Sequence, residues 1–257
     1  MRLNKHISDT GFCSRREADG LIGEGRVTVN GARARIGAEI GEGDEVLVDG
    51  KPLRVRKVAP GKRQHIYIAL NKPVGVTCTT ESGVKDNIVD FVGHERRIFP
   101  IGRLDKDSEG LILLTNDGDI VNEVLRAEHN HEKQYVVAVD KPITQEFIDQ
   151  MAAGVRLSDA TTKPCRVKKL GPKLFDIVLT QGLNRQIRRM CEALGFTVEA
   201  LQRVRIMHIR LGELPLGRWR QLAPQEIAPL LPKQARSPGG PPPGRPGRPP
   251  EGRGRRR

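Results

Sequence analysis

The chain reads Phe99-Pro100-Ile101-Gly102-Arg103-Leu104-Asp105-Lys106-Asp107-Ser108-Glu109-Gly110-Leu111-Ile112-Leu113-Leu114-Thr115 across its most informative segment. In this segment a dense polar loop directly precedes a short apolar run. The run Leu111 to Thr115 has the length and apolar content of a buried strand. Because a buried strand holds the residues before it rigidly, the loop is the first candidate for a functional site.

The acidic residues of this loop allow three interpretations. Asp105, Asp107 and Glu109-Gly110 match the first half of a calcium-binding loop, but the twelfth position is Asn116 instead of Glu and a strand follows instead of a helix. An Asp-x-Asp pair is also typical of aspartyl-phosphate phosphatases, where the pair follows a hydrophobic strand instead of preceding it. The third interpretation is a plain turn in which Asp105 pairs with Arg103 or caps the turn. The residues alone leave these alternatives open.

Around the loop, apolar runs with strand character alternate with segments of helical spacing. The predicted strands are Ile66 to Leu70, Leu111 to Thr115, Tyr135 to Val139, Phe175 to Thr180 and Val204 to Leu211. The predicted helices are Asn87 to Val92, Ile120 to Leu125, Thr144 to Met151, Asn184 to Leu194 and Pro224 to Leu231. This pattern predicts an α+β domain over residues 66–231, with a mainly antiparallel mixed sheet flanked by helices and loops.

Residues 1–50 predict a separate small α+β module. Ser14-Arg15-Arg16-Glu17 has the spacing of a capping box, so a short helix should begin at Ser14. Two strand-like runs follow, and they end in Asn30-Gly31 and Asp49-Gly50, the dipeptides of tight hairpin turns. A basic face for a phosphate backbone is expected from Arg2, Lys5, Arg15, Arg16, Arg33 and Arg35; a solvated surface is the alternative.

Charge and composition distinguish a C-terminal tail and a linker from the rest of the chain. The net charge is +13, of which Pro232 to Arg257 carry +7, with eight basic residues and one acidic residue. This tail, residues 232–257, is rich in Pro, Gly and Arg and is expected to be disordered. It either attracts phosphate non-specifically or serves only as a solubilising extension. Residues 51–65 are expected to be a linker, and 66–231 the larger domain.

Other features of the sequence argue against secretion, membrane insertion and metal binding. The first residues contain no apolar signal segment, and no later stretch is long enough to span a bilayer, so we expect a cytoplasmic location and no membrane partner. The four cysteines lie far apart, which favours reduced thiols. His129 and His131 have no second ligand cluster near them, so no metal and no small-molecule cofactor are expected.

Several motifs resemble those of the RsuA-type pseudouridine synthase family. They are Leu70-Asn71-Lys72-Pro73-Val74-Gly75, Gly102-Arg103-Leu104-Asp105, Gly110 to Gly118, Glu132-Lys133-Gln134-Tyr135 and Gln181 to Met190. The N-terminal residues, including Gly25-Arg26-Val27-Thr28-Val29-Asn30-Gly31, resemble the small RNA-binding module named after ribosomal protein S-four. The resemblance spans roughly residues 1–231.

The resemblance implies how uridine would be isomerised to pseudouridine. Asp105 would be the nucleophile, and Tyr135 the aromatic face that supports a flipped-out base. An arginine of the Asn184 to Arg189 segment would be the cation that pairs with Asp105; the motif leaves open which one, and our prediction is Arg188. The catalytic residues expected are therefore Asp105, Tyr135 and Arg188. The RNA-binding residues expected are Arg103, Leu104, Lys106, Arg185, Gln186, Ile187 and Arg188, with Arg2, Lys5, Arg15 and Arg16 in the N-terminal module.

Within that family, Asn87-Ile88-Val89-Asp90-Phe91-Val92 and the Gly182 to Met190 run are most similar to the RluF branch. That branch modifies large-subunit ribosomal RNA and is also associated with tRNA, so both RNAs are implied as partners. We expect a monomer. A catalytically silent RNA-binding or ribosome-assembly protein on the same scaffold is the alternative hypothesis.

Overall fold

The structure is a computed structural model and describes residues 1–53, 65–81, 83–125 and 131–231. The tail 232–257 and most of the expected linker lie outside the described residues, so the predictions made for them remain predictions. In the described part of the chain, no helix is both long and apolar enough to cross a membrane.

The N-terminal module contains two helices and a four-stranded antiparallel sheet in the described residues, with strand order β2-β1-β3-β4. Its elements are α1 (Leu3–Asp9), α2 (Arg15–Gly23), β1 (Val27–Val29), β2 (Ala32–Arg33), β3 (Val46–Val48) and β4 (Lys51–Pro52). The predicted capping box is confirmed, because Ser14 Oγ accepts from the Glu17 N–H and Glu17 Oε2 accepts from the Ser14 N–H.

Two details of the module differ from the prediction. Helix α1 was not predicted from the alternating pattern of the first residues. The expected linker also begins too early, because Lys51–Pro52 forms strand β4 and pairs with β3. Asp49 and Gly50 have φ values of 51° and 72°, so the chain turns back tightly there and extends the hairpin by one strand.

The larger domain is built around one mixed sheet. Its elements are β5 (Tyr67–Lys72), α3 (Ile88–Val92), β6 (Phe99–Ile101), β7 (Glu109–Thr115), α4 (Gly118–Leu125), β8 (Lys133–Val139), α5 (Gln145–Ala153), β9 (Arg166–Gly171), β10 (Leu174–Leu179), α6 (Gln186–Ala193), β11 (Val198–Ile206), β12 (Ile209–Arg210), β13 (Trp219–Gln221) and α7 (Pro224–Ile227). A short 3-10 helix, Ala228–Leu230, follows α7.

Within the described residues the sheet has nine strands, seven of them in the order β13-β5-β7-β11-β8-β10-β9. Strand β6 pairs with β7, and β12 pairs with β11. The pairing of β7 with β11 is parallel, and the others are antiparallel. The prediction of an α+β domain with a mainly antiparallel mixed sheet is confirmed.

Two predicted elements have different boundaries in the structure. The run Val204 to Leu211 was predicted as one strand, but it is a hairpin between β11 and β12 that turns at Met207, where φ is 53°. The helix predicted over Asn184 to Leu194 begins two residues later, at Gln186. Arg185 is its N-cap and has a left-handed backbone with φ of 48°, so it is not part of the helical face.

The sheet is covered on both faces, and this holds strand β7 in place. Leu111 and Leu113 pack into one buried cluster, while Ile112 and Leu114 pack into another. This alternation follows from the two-residue period of a strand, and all four side chains are at most 1% exposed. The loop that precedes β7 therefore leads directly into one of the most deeply buried segments of the domain.

Candidate functional site

A cleft of about 670 Å³ opens between the loop before β7, strand β8 and the segment before α6. The side chains that line it include Arg103, Leu104, Asp105, Lys133, Tyr135, Arg185, Gln186, Ile187, Arg188 and Arg203. Residues predicted from distant parts of the sequence thus line one cleft. Lys106 and Asp107 are not among the lining residues.

The loop that carries Asp105 is fixed by hydrogen bonds on both sides of that residue. The Gly75 N–H donates to the Lys106 carbonyl at 2.8 Å, and the Ser108 N–H donates to the Asp105 carbonyl at 3.1 Å. The Leu104 N–H donates to Cys78 Sγ at 3.4 Å, and the Leu104 side chain packs in the core. Asp105 itself keeps a side chain that is 34% exposed, so the carboxylate is held but accessible.

The cation nearest to Asp105 is not the predicted one. We expected Arg188 to pair with Asp105, but among the described residues the ion pair of Asp105 is with Arg185, whose Nη1 lies 4.0 Å from Oδ2. Arg185 adopts a left-handed backbone at the N-cap of α6, and its guanidinium is directed to the loop from there. It also donates to both carboxylate oxygens of Asp107, at 3.0 and 2.8 Å. This pairing holds the pKa of Asp107 below its ordinary value.

Arg188 also contacts the loop that carries Asp105, but it does so through Asp107 and Ser108. Its Nη2 donates to the Asp107 carbonyl at 2.7 Å and to Ser108 Oγ at 3.2 Å. Its Nε lies 3.4 Å from Asp107 Oδ2, a contact that is an ion pair but not a well-aligned hydrogen bond. Arg188 lies in the first turn of α6, and from there its guanidinium contacts Asp107 and Ser108 instead of the Asp105 carboxylate. It therefore supports the loop that presents Asp105.

Tyr135 lies in β8 and lines the cleft with part of its ring surface buried. Its ring packs at the edge of two of the buried clusters. Strand register places it opposite Ile177 on one side and Arg203 on the other. Tyr135 therefore packs partly in the core and also lines the cleft.

The other expected RNA-binding residues fall into two groups. Leu104, Gln186 and Ile187 are at most 7% exposed, so their side chains shape the wall of the cleft and offer little surface to a large ligand. The second group consists of basic residues that are at least partly exposed to solvent. They are Arg2, Lys5, Arg15, Arg16, Arg103 and Lys106. Lys5 forms an ion pair with Asp9, in which Nζ lies 3.1 Å from Oδ2.

Three cations in the cleft or close to it were not identified as site residues from the sequence. Lys72 is fully buried and donates to the Pro73 and Val76 carbonyls, each at 2.9 Å. Lys133 and Arg203 line the cleft, and Arg203 is 3% exposed. Burial lowers the pKa of Lys72 and of Lys133, and the nearby charge of Arg203 lowers both further. Arg203 directly precedes the predicted strand Val204 to Leu211, and no local pattern in the sequence distinguished it.

The described residues contain no group of three or more His, Cys, Asp and Glu side chains placed to hold a metal ion. Of the two histidines considered for a metal, His131 is described and its Nδ1 lies 2.9 Å from the Val124 carbonyl. His129 lies outside the described residues.

Comparison with protein-family models matches both parts of the chain. Residues 66–193 match the family described as RNA pseudouridylate synthase, and residues 1–46 match the S4 domain. The first match contains Asp105, Tyr135 and the three arginines of α6 and its N-cap. The second contains the basic residues expected to contact RNA in the N-terminal module.

Two relatives and a solved structure agree with these matches. The chain is 56% identical to the dual-specificity RNA pseudouridine synthase RluF of Escherichia coli strain K12 over 231 residues, which cover 90% of this chain and 78% of the relative. It is 35% identical to the ribosomal large subunit pseudouridine synthase B of Bacillus subtilis, covering 88% and 93%. A crystal structure of a pseudouridylate synthase superposes with a TM-score of 0.65 at 29% identity, covering 90% of this chain and all of the other.

Proposed function

This chain belongs to the RsuA-type family of RNA pseudouridine synthases, and from that membership we propose that it isomerises one flipped-out uridine of large-subunit ribosomal RNA with Asp105 as nucleophile. Pseudouridine formation in RNA follows from the family itself. The observation that carries the rest of the proposal is that Asp105, Tyr135 and Arg185 line one cleft.

The reaction needs few catalytic side chains, because the uracil leaves C1′, turns over and rejoins through C5 without leaving the cleft. The Asp105 carboxylate forms a temporary bond either to C1′, as the N1–C1′ bond breaks and uracil departs with the electron pair, or to the uracil ring, as the C5=C6 π bond opens. When C5 bonds to C1′, the bond to Asp105 is released, C5 loses its proton and N1 gains one. Arg185 is the cation next to that carboxylate, and Tyr135 offers an aromatic face for the base. No redox step enters this scheme.

Base flipping is part of the proposal because Asp105 lies among the residues that line the cleft. A base that is stacked inside an RNA helix cannot enter such a cleft, so we propose that the nucleotide rotates out to meet the Asp105 carboxylate. Exposed Arg103 and Lys106 flank Asp105 and are placed to hold the phosphates on either side of the extruded nucleotide. Arg2, Lys5, Arg15 and Arg16 would contact the RNA further away, from the N-terminal module.

Large-subunit ribosomal RNA is proposed as the substrate because the Bacillus subtilis relative is named for that subunit. The name of the Escherichia coli relative contains the term dual-specificity, which supports a second RNA substrate, and we propose a tRNA for that role. The proposal places the protein in the cytoplasm, where both RNAs are found, and assigns the activity to a monomer.

Mapping of pseudouridine in total RNA tests this proposal. Cells without the gene should lack pseudouridine at a uridine of large-subunit ribosomal RNA, and the wild-type gene should restore it, because the enzyme acts on a defined site. Loss of a second site in a tRNA would support the second substrate. If the RNA of the two strains carries the same set of pseudouridines, the proposed substrate is wrong.

Removal of residues 232–257 should weaken RNA binding and leave the chemistry intact. The deletion removes seven of the thirteen net positive charges, so the binding constant should fall and its dependence on salt should become shallower. If the tail engages about three phosphates, the slope of log K against log salt decreases by about two to three. RNA titrations at several salt concentrations measure this, and an unchanged slope would assign the tail no part in binding.

The same truncated protein needs a test of its chemistry. At saturating RNA its single-turnover rate constant should equal that of the full chain, because the cleft residues are all upstream of residue 232. A truncated protein with a markedly lower rate constant would give the tail a role in the reaction and contradict this expectation.

A further inference from the structure

Arg203 is the most deeply buried arginine described in the cleft, and nothing in the reaction scheme so far uses it. It lies in β11, between β7 and β8. Strand register sets it beside Gly110 of β7, where the Asp105 loop ends, and opposite Tyr135 of β8. Residues directly opposite each other on neighbouring antiparallel strands share a face of the sheet, so Arg203 and Tyr135 are on the same face.

The guanidinium of Arg203 donates hydrogen bonds to backbone carbonyls on both sides of the loop that carries Asp105. Its Nε donates to the Leu111 carbonyl at 2.6 Å, just after the loop. Its Nη1 donates to the Arg103 carbonyl at 3.2 Å, two residues before Asp105. One planar, rigid group therefore spans the loop from its beginning to its end, which a lysine with a single nitrogen could not do.

The third nitrogen of Arg203 is unsatisfied. Nη2 is buried and has no hydrogen-bond partner among the described residues. No carboxylate of the described residues lies within ion-pair distance of this guanidinium, and its charged neighbours include the cations Lys72 and Lys133. Burying an uncompensated charge is costly, so an arginine in this place without a counterion needs a functional reason.

We propose that Arg203 is a positioning residue for pseudouridine formation, which clamps the Asp105 loop through two backbone carbonyls and places an uncompensated positive charge beneath the cleft. This inference rests on the proposed function. When the N1–C1′ bond breaks, negative charge moves onto the detached uracil, and a fixed buried cation stabilises that charge without having to reorganise. The reaction thereby supplies the anion that the free protein lacks at this position.

Substitution of Arg203 tests the proposal in the full chain, with an unmodified transcript of the ribosomal RNA fragment identified by mapping. Arg203→Met should lower the single-turnover rate constant at saturating RNA by about 10²-fold, the effect of a small misplacement of a reacting group. The dissociation constant for the RNA should change by less than about threefold, because the guanidinium is buried and offers the RNA no surface. Arg203→Lys keeps the charge and should recover about tenfold of the lost rate.

Arg205 provides a matched control from the same strand. It is also largely buried, and it is held by Gln134 Oε1 at 2.8 Å and the Met207 carbonyl at 2.6 Å, but it does not line the cleft. Arg205→Met should cost stability in denaturant unfolding and leave the rate constant within about threefold of wild type.

The outcomes separate this inference from the proposed function. If the wild-type enzyme forms no pseudouridine in the transcript, the proposed function fails. If wild type is active and Arg203→Met reacts as fast, or if Arg205→Met loses as much rate, Arg203 has a structural role only and the inference is overturned. Should Arg203→Met not fold, Arg203→Lys decides: a slower reaction with unchanged RNA affinity supports the clamp, and wild-type kinetics contradict it.

Discussion

Asp105→Asn is expected to lower the single-turnover rate constant of pseudouridine formation by about 10³-fold or more, with little change in RNA affinity. Asparagine has nearly the same shape as aspartate, so the loop contacts made through the Asp105 carbonyl should persist. The amide lacks the negative charge and the nucleophilic oxygen that the reaction requires. Single-turnover assays at saturating RNA, with binding measured separately, show both effects.

Asp107→Asn is the matched control for this prediction, because both aspartates lie in one loop and only Asp105 lines the cleft. Asp107 is occupied by Arg185 through both carboxylate oxygens, and its loss should loosen Arg185 and cost about tenfold in rate. If Asp107→Asn is the more damaging change, Asp107 is the nucleophile. If Asp105→Asn reacts at the wild-type rate, the nucleophilic role of Asp105 is wrong.

The elements that could be predicted from sequence are those whose signal is local. Helices α2 and α3 have side-chain caps, Ser14 and Asn87, that satisfy free backbone N–H groups of their first turns. Strand β7 is apolar on both faces, and its neighbours cover both faces, as its composition requires. The Asn-Gly and Asp-Gly turns need left-handed backbones, which these residues adopt readily.

Strand β11 shows why other elements could not be predicted. Its first six residues include Glu199, Gln202 and Arg203, and this polar composition hides a strand that is paired on both sides. Its parallel partner β7 is about ninety residues earlier in the chain, and no local pattern indicates that pairing. The role that we propose for Arg203 depends on this pairing, so that role could not be predicted from the sequence either.

The arginines at the start of α6 show the same limit at the level of side chains. The sequence places Arg185 and Arg188 three residues apart, which predicts a shared face only if both are helical. In the structure Arg185 has a left-handed backbone at the N-cap, and its ion pairs with Asp107 and Asp105 stabilise that geometry. The choice between the two arginines depends on a tertiary contact, so the family motif could identify the group of residues and not the pair.

Gly110→Ala should destabilise the larger domain by about 3 kcal/mol or more. Gly110 has φ of 103°, a conformation that costs energy for any residue with a Cβ. A Cβ at this position would also clash with the Arg203 carbonyl oxygen and lie 2.6 Å from the Arg203 nitrogen, and these are backbone atoms that cannot rotate away. The parallel pairing of β7 with β11 would have to separate, and the loop that carries Asp105 would move with it.

Unfolding in denaturant measures this effect, because the only tryptophan of the chain, Trp219, lies in the same sheet and reports its unfolding by fluorescence. Gly212→Ala is the control: Gly212 also has a positive φ, of 57°, but nothing lies within 4 Å of a Cβ there, so the cost should be about 1 kcal/mol. The difference between the two variants isolates the contact between β7 and β11. Equal midpoints for Gly110→Ala and Gly212→Ala would show that the strands do not approach as described, and the clamp assigned to Arg203 would fail with them.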